Sequence, residues 1–130
     1  MAYITSATTK GGREGRAVLD NGGLALAMAL PKELGGAGEG HNPEQLFALG
    51  WSSCFGQAIV ALGRKHGLDR AQARVTCAVT LEKGETSFAL KVALPGADKD
   101  NLKALVEDAH RICPYSRATR NNIPVTLTVL

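Results

Sequence analysis

The alternation of apolar and polar residues along the chain predicts short strands at its N-terminal end. Three runs fill roughly the first thirty residues, AYITSATT, RAVLD and LALAMAL, and the turn sequences GGREG and NGG separate them. Asn21 and Gly22 accept positive φ angles at little cost, which favours a tight hairpin between the second and third runs. We therefore predict three strands before residue 31.

An apolar helix is predicted from about Pro43 to His66, with Asn42 as its N-cap and Pro43 at its first helical position. Gly67 follows its last turn. Apolar side chains occur on all sides of this segment, which is typical of a helix inside a core or an interface. They are Leu46, Phe47, Leu49, Trp51, Phe55, Ile59, Val60 and Leu62.

The second half of the chain predicts a hairpin, a helix and a final strand. The runs RVTCAVTLEK and TSFALKVALP alternate as two strands joined by a turn at Gly84-Glu85. A helix is expected from about Asp98 to Ile112, and it ends at Cys113-Pro114 because a residue before proline disfavours helical backbone. IPVTLTVL supplies the last strand. The order β-β-β-α-β-β-α-β predicts one α+β domain over residues 1–130, with largely antiparallel sheets.

Composition and charge exclude several classes of function. The chain is only 5% aromatic, and its net charge of +3 comes from Lys and Arg scattered among acidic residues. Both features disfavour a nucleic-acid-binding protein. No uninterrupted apolar run reaches the ~20 residues of a membrane span, and the start MAYITSATTK does not resemble a signal peptide. We therefore expect a cytoplasmic protein.

The three cysteines carry the candidate chemistry. In a reducing cytosol an odd number of cysteines does not indicate a disulfide framework, which leaves catalytic, redox or core roles. Cys77 alternates with Val75 and Val79 along an apolar strand row, so we interpret it as a core residue. Cys54 lies within the apolar helix, and Cys113 directly precedes a proline.

Cys54 would need electrostatic support to act as a nucleophile. A free thiol with a pKa of ~8.5 is only about 7% ionised near neutral pH, and lowering that pKa by two or three units takes ~3–4 kcal/mol. One predicted source is a helix break after Gly50, with a serine capping a new helix that begins near Cys54. The other is Arg13 in its glycine-flanked turn, oriented by Glu44. The break matters because Glu44 and Cys54 are ten residues apart. Ten residues of one straight helix span ~15 Å, which is too far for both side chains to belong to one site.

The sequence leaves three other interpretations open. His110 and Cys113 have helical spacing and, with His41 and Cys54, would offer zinc ligands, but no CxxC or HExxH pattern supports this site. A cysteine hydrolase would pair a thiolate with a histidine base and would not need Cys113. A non-catalytic dimer that binds hydrophobic ligands is the alternative outside enzymes.

The strings GGREG, PKELGGAGEGHNPEQLFALGWSSCF and CPYSRATR resemble the organic hydroperoxide resistance (Ohr) family of the OsmC/Ohr superfamily, in matching order over nearly the whole chain. The resemblance implies an OsmC/Ohr-like fold, with largely antiparallel sheets around central helices in an intertwined homodimer. It also implies cytoplasmic thiol peroxidases for organic and fatty-acid hydroperoxides, with active sites at the subunit interface. An OsmC-branch peroxidase with a broader peroxide range is the alternative, although the tyrosine in CPYS favours the Ohr branch.

The resemblance assigns a role to each motif residue. Cys54 in GWSSCF resembles the peroxidatic cysteine and Cys113 in CPYS the resolving cysteine. Arg13 in GGREG resembles the arginine that holds the thiolate, and Glu44 in NPEQ the glutamate that positions this arginine. A Cys54 sulfenic acid and a Cys54–Cys113 disulfide are implied. Dihydrolipoamide or a lipoylated protein is the implied reductant, and no metal or organic cofactor is implied.

Apolar residues around Cys54 suit a lipid-like peroxide, so Phe47, Trp51 and Phe55 are the predicted substrate-binding residues. Two positions depart from the family pattern. His41 stands where relatives usually have a small polar residue, and Trp51 stands where tyrosine is usual. The preferred substrate size is therefore left open.

Overall fold

The computed structural model describes residues 1–69 and 72–130. It divides into two compact units, Met1–Leu46 and Phe47–Leu130, and each contains a three-stranded sheet. The predicted mixed order of strands and helices is confirmed, with one short helix added near the C-terminal end. The organisation of residues 1–130 as a single domain stays a prediction.

The sheet of the first unit is antiparallel and has the strand order β1-β2-β3. Its strands are β1 (Ala7–Lys10), β2 (Arg16–Leu19) and β3 (Ala25–Ala27). Lys10 lies opposite Arg16, so residues 11–15 form the connection between β1 and β2. Asp20 follows β2 and accepts hydrogen bonds from the hydroxyls of Ser6 and Thr8 at 2.5 and 2.8 Å, which ties the turn to β1.

The long apolar helix α1 (Pro43–Gly63) begins with a capping box. Asn42 Oδ1 accepts from the Gln45 backbone N–H, and Gln45 Oε1 accepts from the Asn42 backbone N–H, both at 2.9 Å. These two bonds satisfy donors that a helix start would otherwise leave unpaired. The predicted N-cap is confirmed, whereas the helix ends before the predicted His66.

The sheet of the second unit combines a hairpin with one parallel strand. Its strands are β4 (Arg74–Glu82), β5 (Glu85–Ala93) and β6 (Val125–Val129), and β6 pairs with β5 in parallel. The hairpin turn consists of Lys83 and Gly84, with φ angles of 52° and 79°. The turn starts one residue earlier than predicted, because Glu82 pairs with Glu85. Positive φ at both positions matches the twist of the flanking strands.

Two helices in sequence meet at Cys113. Helix α2 (Lys99–Ile112) is capped by Asp98, whose carboxylate accepts from the Asn101 N–H at 3.0 Å. Cys113 is extended, with φ −61° and ψ 123°, as expected for a residue before Pro114. A second helix, α3 (Pro114–Thr119), then begins with that proline at its first position. The sequence analysis missed α3.

The core of the second unit lies between α1, α2 and the inner face of the sheet. Each large side chain buried there contributes roughly 1.5–3 kcal/mol of hydrophobic stabilisation. Cys77 packs against this core from β4, opposite Leu90, as the apolar row predicted. Ile112, the last residue of α2, is 46% exposed. The fully buried side chains include Trp51, Phe55, Ile59, Leu90, Val92, Leu102, Leu105, Val106 and Cys113.

Helix α1 is also long and apolar enough to cross a bilayer, judged by length and composition alone. Ser52 and Ser53 divide its apolar residues, so the helix contains no uninterrupted apolar run of this length. Trp51, Phe55 and Ile59 are fully buried against protein. We therefore interpret α1 as a core helix.

Candidate active site

Arg13 lies in a turn that only glycines permit. Residues Gly12–Glu14 form one turn of 3-10 helix, and Gly11 and Gly12 have φ angles of 85° and 60°. A Cβ atom at Gly15 would lie 1.8 Å from the carbonyl oxygen of Lys10, so a side chain cannot fit there. The GGREG string therefore sets the backbone from which Arg13 extends.

Arg13 and Glu44 form a bidentate ion pair within the first unit. Arg13 Nη1 donates to Glu44 Oε2 and Arg13 Nη2 donates to Glu44 Oε1, each at 2.7 Å. The hydrogen bond from Arg13 holds the pKa of Glu44 below its ordinary value, and the bond to Glu44 raises the pKa of Arg13. Both groups are therefore charged at neutral pH, and the planar fork holds the guanidinium in one orientation.

This ion pair is partly exposed to solvent. The Arg13 side chain is 41% exposed and the Glu44 side chain 19%. Exposed ion pairs contribute only about 0–1 kcal/mol to folding because water and salt screen them. The pair is better suited to orienting Arg13 than to stabilising the fold.

Cys54 lies in the middle of an unbroken helix, and the predicted break before it is wrong. Helix α1 continues from Pro43 to Gly63. The Ser52 and Ser53 hydroxyls donate back to the Leu49 carbonyl, at 3.2 and 2.8 Å, and do not cap a new helix. Cys54 therefore does not lie at the N-terminus of its own helix.

Cys54 and Cys113 are brought together within the second unit. The Cys113 thiol donates to the Cys54 sulfur, and the two Sγ atoms are 3.6 Å apart. A disulfide requires ~2.05 Å, so a small movement closes the gap. Cys54 is partly exposed, whereas Cys113 is fully buried.

The surroundings of Cys54 have opposing effects on its pKa. Burial is the largest effect, and it raises the pKa. A hydrogen bond from the Tyr115 backbone lowers it. The net direction is upward, so these neighbours in the second unit favour the thiol and not the thiolate.

An aromatic cluster lies along the same helix as Cys54. The Phe47 ring packs 4.6 Å from Phe88 and meets the edge of Tyr115 at 5.9 Å, measured between centroids. Trp51 lies 4.8 Å from Phe88. Trp51 and Phe55 are fully buried in the core, whereas Phe47 is only partly buried. Substrate binding by these three residues stays a prediction.

Gly50 and Tyr115 form a contact that the sequence analysis missed. A Cβ atom at Gly50 would lie 2.7 Å from the Tyr115 hydroxyl and 3.0 Å from its ring atom Cε2. The absence of a side chain at Gly50 therefore lets the Tyr115 ring lie directly on α1, one turn before Cys54. The only sequence signal was a glycine inside a strongly helical pattern, which usually has a packing reason.

Replacing Gly50 by alanine is expected to destabilise the protein by roughly 1 kcal/mol, because crowding of Tyr115 outweighs the gain in helix propensity. Gly56→Ala in the same helix is the matched control, since its Cβ would meet nothing within 4 Å. That change should stabilise by about 0.5–1 kcal/mol. Urea unfolding of both variants gives the free energies. Equal stabilisation by the two alanines would contradict the contact.

Two of the three histidines, His66 and His110, are hydrogen-bonded to other side chains. His110 pairs with Ser116 at 2.8 Å and His66 with Asp108 at 2.9 Å. Over residues 1–69 and 72–130, no group of three or more His, Cys, Asp or Glu side chains is arranged to hold a metal ion. The candidate zinc ligands His41, Cys54, His110 and Cys113 therefore do not form such a group.

The predicted catalytic residues thus form two pairs, one in each unit. Arg13 is bonded to Glu44 in the first, and Cys113 to Cys54 in the second. The roles of all four in catalysis stay predictions.

The family profile described as OsmC-like protein matches residues 36–128. The organic hydroperoxide resistance protein of Xanthomonas axonopodis pv. citri is 44% identical over 135 aligned positions, which cover 99% of this chain and 95% of that protein.

Solved structures agree with the sequence comparison. The organic hydroperoxide resistance protein OsmC of Legionella pneumophila has a TM-score of 0.91 at 40% identity, covering 99% of this chain and 98% of that one. OhrB of Bacillus subtilis has a TM-score of 0.87 at 33% identity, covering 98% of each chain. The predicted α+β fold is therefore confirmed, and the chain belongs to the organic hydroperoxide resistance (Ohr) proteins of the OsmC-like family.

Proposed function

We propose that this protein is a thiol-dependent peroxidase that reduces organic hydroperoxides, including those of fatty acids, to alcohols. One observation carries the proposal: a partly exposed thiol, Cys54, lies 3.6 Å from a buried second thiol, Cys113. An exposed thiol can meet a peroxide, and a buried neighbour can trap the product before further oxidation. The names of the relatives, organic hydroperoxide resistance proteins, support the same substrate class.

In the first step the Cys54 thiolate attacks the outer oxygen of the hydroperoxide ROOH. The S–O bond forms as the O–O bond breaks, and the alkoxide leaves and takes a proton to become the alcohol. Cys54 is oxidised to the sulfenic acid, and the peroxide is reduced by two electrons. In the second step Cys113 attacks this sulfur, which gives a Cys54–Cys113 disulfide and water.

A dithiol must then return the enzyme to its starting state. We propose the lipoyl dithiol of dihydrolipoamide or of a lipoylated protein as this reductant. One of its thiolates attacks the disulfide and releases one cysteine, and its second thiol then attacks the mixed disulfide and releases the other cysteine. Both cysteines are thereby reduced, and the dithiol leaves as the cyclic lipoyl disulfide. The cycle needs no metal or organic cofactor.

We assign the activation of Cys54 to the Arg13–Glu44 ion pair. The neighbours of Cys54 in the second unit raise its pKa, so a cation is needed to make the thiolate. The proposal requires Arg13 to face Cys54 in the working protein, in an intertwined homodimer with sites at the subunit interface. Two apolar side chains of α1 are exposed, Leu49 by 64% and Val60 by 37%. Such side chains favour an interface that buries them, which supports a second subunit packed against α1.

The aromatic residues favour substrates with an apolar organic group. Phe47 is partly exposed beside Tyr115, and an alkyl or aryl group would pack on such rings better than hydrogen peroxide would. We propose that the protein works in the cytoplasm on peroxides that carry lipid-like groups.

A non-catalytic protein that binds hydrophobic ligands is the second candidate. An apolar cavity of about 240 Å³ lies in the first unit, but it is smaller than the ~300–1,000 Å³ typical of ligand pockets. Its lining residues include Ala17, Leu26 and Leu46. A cysteine hydrolase is disfavoured because Cys54 is paired with Cys113, whereas His66 and His110 are bonded to Asp108 and Ser116.

Consumption of cumene hydroperoxide with dihydrolipoamide is the direct test. We expect catalytic turnover with this substrate and with tert-butyl hydroperoxide, and much slower turnover of hydrogen peroxide. A protein that consumes no organic hydroperoxide under these conditions would contradict the proposal.

Cys113→Ser tests the division of labour between the two thiols. Because the Cys54 sulfenic acid then has no resolving partner, we expect this variant to consume about one peroxide per site and stop, or to consume further peroxide only as the sulfenic acid is over-oxidised. Mass spectrometry of the peroxide-treated wild type should show a Cys54–Cys113 link with Cys77 free. Sustained turnover by Cys113→Ser, or a dominant disulfide to Cys77, would overturn the assigned pairing.

A further inference from the structure

A partly buried hydrogen bond between His110 and Ser116, which we call the bracket, spans Cys113 at the junction of α2 and α3. His110 Nδ1 and Ser116 Oγ are 2.8 Å apart, and they stand three residues before and three residues after Cys113. Ser116 is fully buried. A second bond spans the same junction, from Arg120 Nη2 to the His110 carbonyl oxygen at 2.6 Å.

The junction needs such a bracket because Pro114 interrupts the helix there. Proline has no N–H to continue the hydrogen-bond ladder, so the angle between α2 and α3 is not set by one continuous helix. The angle at this junction decides where the Cys113 thiol points.

The bracket is also anchored beside Cys54. The His110 ring packs on Phe55, the residue that follows Cys54, with centroids 6.4 Å apart. Burial and the charge of Arg120 lower the pKa of His110, so its ring is neutral at neutral pH. A neutral ring with its hydrogen on Nε2 accepts the Ser116 hydroxyl hydrogen at Nδ1. One side chain therefore links the Cys113 segment to the Cys54 segment.

We propose that His110 and Ser116 are positioning residues for the resolving step, in which Cys113 attacks the oxidised Cys54. They do not touch the peroxide and do not contribute to the first step. This inference rests on the proposed function, because it concerns the second half of that reaction.

The resolving step has strict geometric demands. The Cys113 sulfur forms a bond to the Cys54 sulfur as the S–O bond of the sulfenic acid breaks. The Cys113 proton leaves with the hydroxyl group as water; Cys113 is oxidised, and Cys54 is reduced from sulfenic acid to disulfide. The sulfurs must close from 3.6 Å, and a misplacement of about 1 Å slows such a reaction up to roughly 100-fold.

Two variants remove the bracket in different ways. Ser116→Ala deletes the hydroxyl, and His110→Phe keeps a ring against Phe55 but deletes Nδ1. Each variant is treated with one equivalent of cumene hydroperoxide. In one sample the sulfenic acid is trapped with dimedone, and in a second sample without dimedone the disulfide is followed by quenched mass spectrometry. We expect sulfenic acid to form within about twofold of the wild-type rate and disulfide to form at least about tenfold more slowly. Excess peroxide should then give more sulfinic acid.

Thr119→Val is the matched control. It deletes another buried hydroxyl of α3, which donates to the carbonyls of Tyr115 and Ser116 at 3.0 and 3.2 Å, but it leaves the bracket across Cys113 intact. We expect Thr119→Val to lower thermal stability without slowing disulfide formation. His110→Asn should restore part of the wild-type rate, because its amide group reaches the place of Nδ1.

Diamide separates this inference from the proposed function. Diamide oxidises two neighbouring thiols to a disulfide without any hydroperoxide, so closure of Cys54 on Cys113 is measured even if the protein does not reduce peroxides. Slower closure in Ser116→Ala and His110→Phe, and not in Thr119→Val, supports the positioning role. Circular dichroism checks that both bracket variants are folded, and wild-type rates of disulfide closure in both would overturn the positioning role. If Ser116→Ala does not fold, the result for His110→Phe alone decides.

Discussion

Cys54→Ser is expected to reduce the turnover of organic hydroperoxides by at least about a thousandfold, the order of loss seen when a catalytic nucleophile is removed. A serine hydroxyl remains protonated at neutral pH, and its oxygen cannot form a sulfenic acid with a peroxide. The substitution is nearly isosteric, and the serine oxygen can still accept the hydrogen bond that Cys113 donates at this position. We therefore expect the thermal midpoint to change little while activity disappears.

Cys77→Ser is the matched control for the loss of one thiol. Cys77 is partly buried in β4, where burial raises its pKa and favours the unreactive thiol. We expect this variant to keep wild-type turnover with cumene hydroperoxide and dihydrolipoamide. Residual turnover above background in Cys54→Ser, or loss of turnover in Cys77→Ser, would move the reactive thiol to another position.

Local steric rules account for the parts of the fold that the sequence predicted well. Asn42 before Pro43 predicted a capped helix start, and Asn42 and Gln45 exchange hydrogen bonds there. Pro114 predicted the end of α2 because proline constrains the residue before it. The glycines around Arg13 predicted a turn, and their positive φ angles explain it. Each of these features depends on residues within a few positions of one another.

Features that depend on competing uses of the same side chain were not predictable. Serines before Cys54 are common N-caps, but Ser52 and Ser53 bond to the Leu49 carbonyl inside one continuous helix. Burial of Trp51 and Phe55 on the face of α1 favours that continuous helix, because a break would expose part of the core. The sequence contains a signal for a helix break and a signal for a continuous helix, and it does not show which of the two is stronger.

Contacts between segments that are far apart along the chain could not be predicted from the sequence either. Helix α3 has six residues, too few for a hydrophobic period, and it was missed. The parallel pairing of β6 with β5 depends on the path of the chain through α2 and α3. The packing of Tyr115 on Gly50 joins α3 to α1 and follows from neither segment alone. These contacts set the surroundings of Cys54 and Cys113.

Arg13→Ala is expected to slow the first step at pH 7 by about 10- to 1,000-fold, which corresponds to roughly 1.4–4 kcal/mol of lost stabilisation. Burial raises the pKa of Cys54, so removal of the proposed cation should raise it further. A thiol is neutral when protonated and negative when ionised, so losing a positive neighbour disfavours the ionised form. The curve of rate against pH should therefore move to higher pH.

Thiolate absorbance near 240 nm, titrated beside the rate, separates two contributions of Arg13. Raising the pH should recover the part of the loss that comes from a smaller thiolate fraction. It should not recover the part that comes from charge stabilisation in the transition state as the O–O bond breaks. Arg13→Lys keeps the charge but loses the planar fork that Glu44 holds, so we expect an intermediate rate.

Glu44→Gln and Arg16→Ala complete the test of orientation against charge. Glu44→Gln keeps the size of the side chain but removes the carboxylate that braces Arg13 at 2.7 Å, so it should slow the reaction less than Arg13→Ala does. Arg16→Ala removes the same charge from an exposed position of β2 and should leave both the Cys54 titration and the rate unchanged. A general loss of positive charge would affect Arg13→Ala and Arg16→Ala equally, through weak and salt-screened interactions. If Arg13→Ala leaves the Cys54 titration and the rate as they are in the wild type, Arg13 has only a structural role in its turn. The activation of Cys54 must then come from another cation.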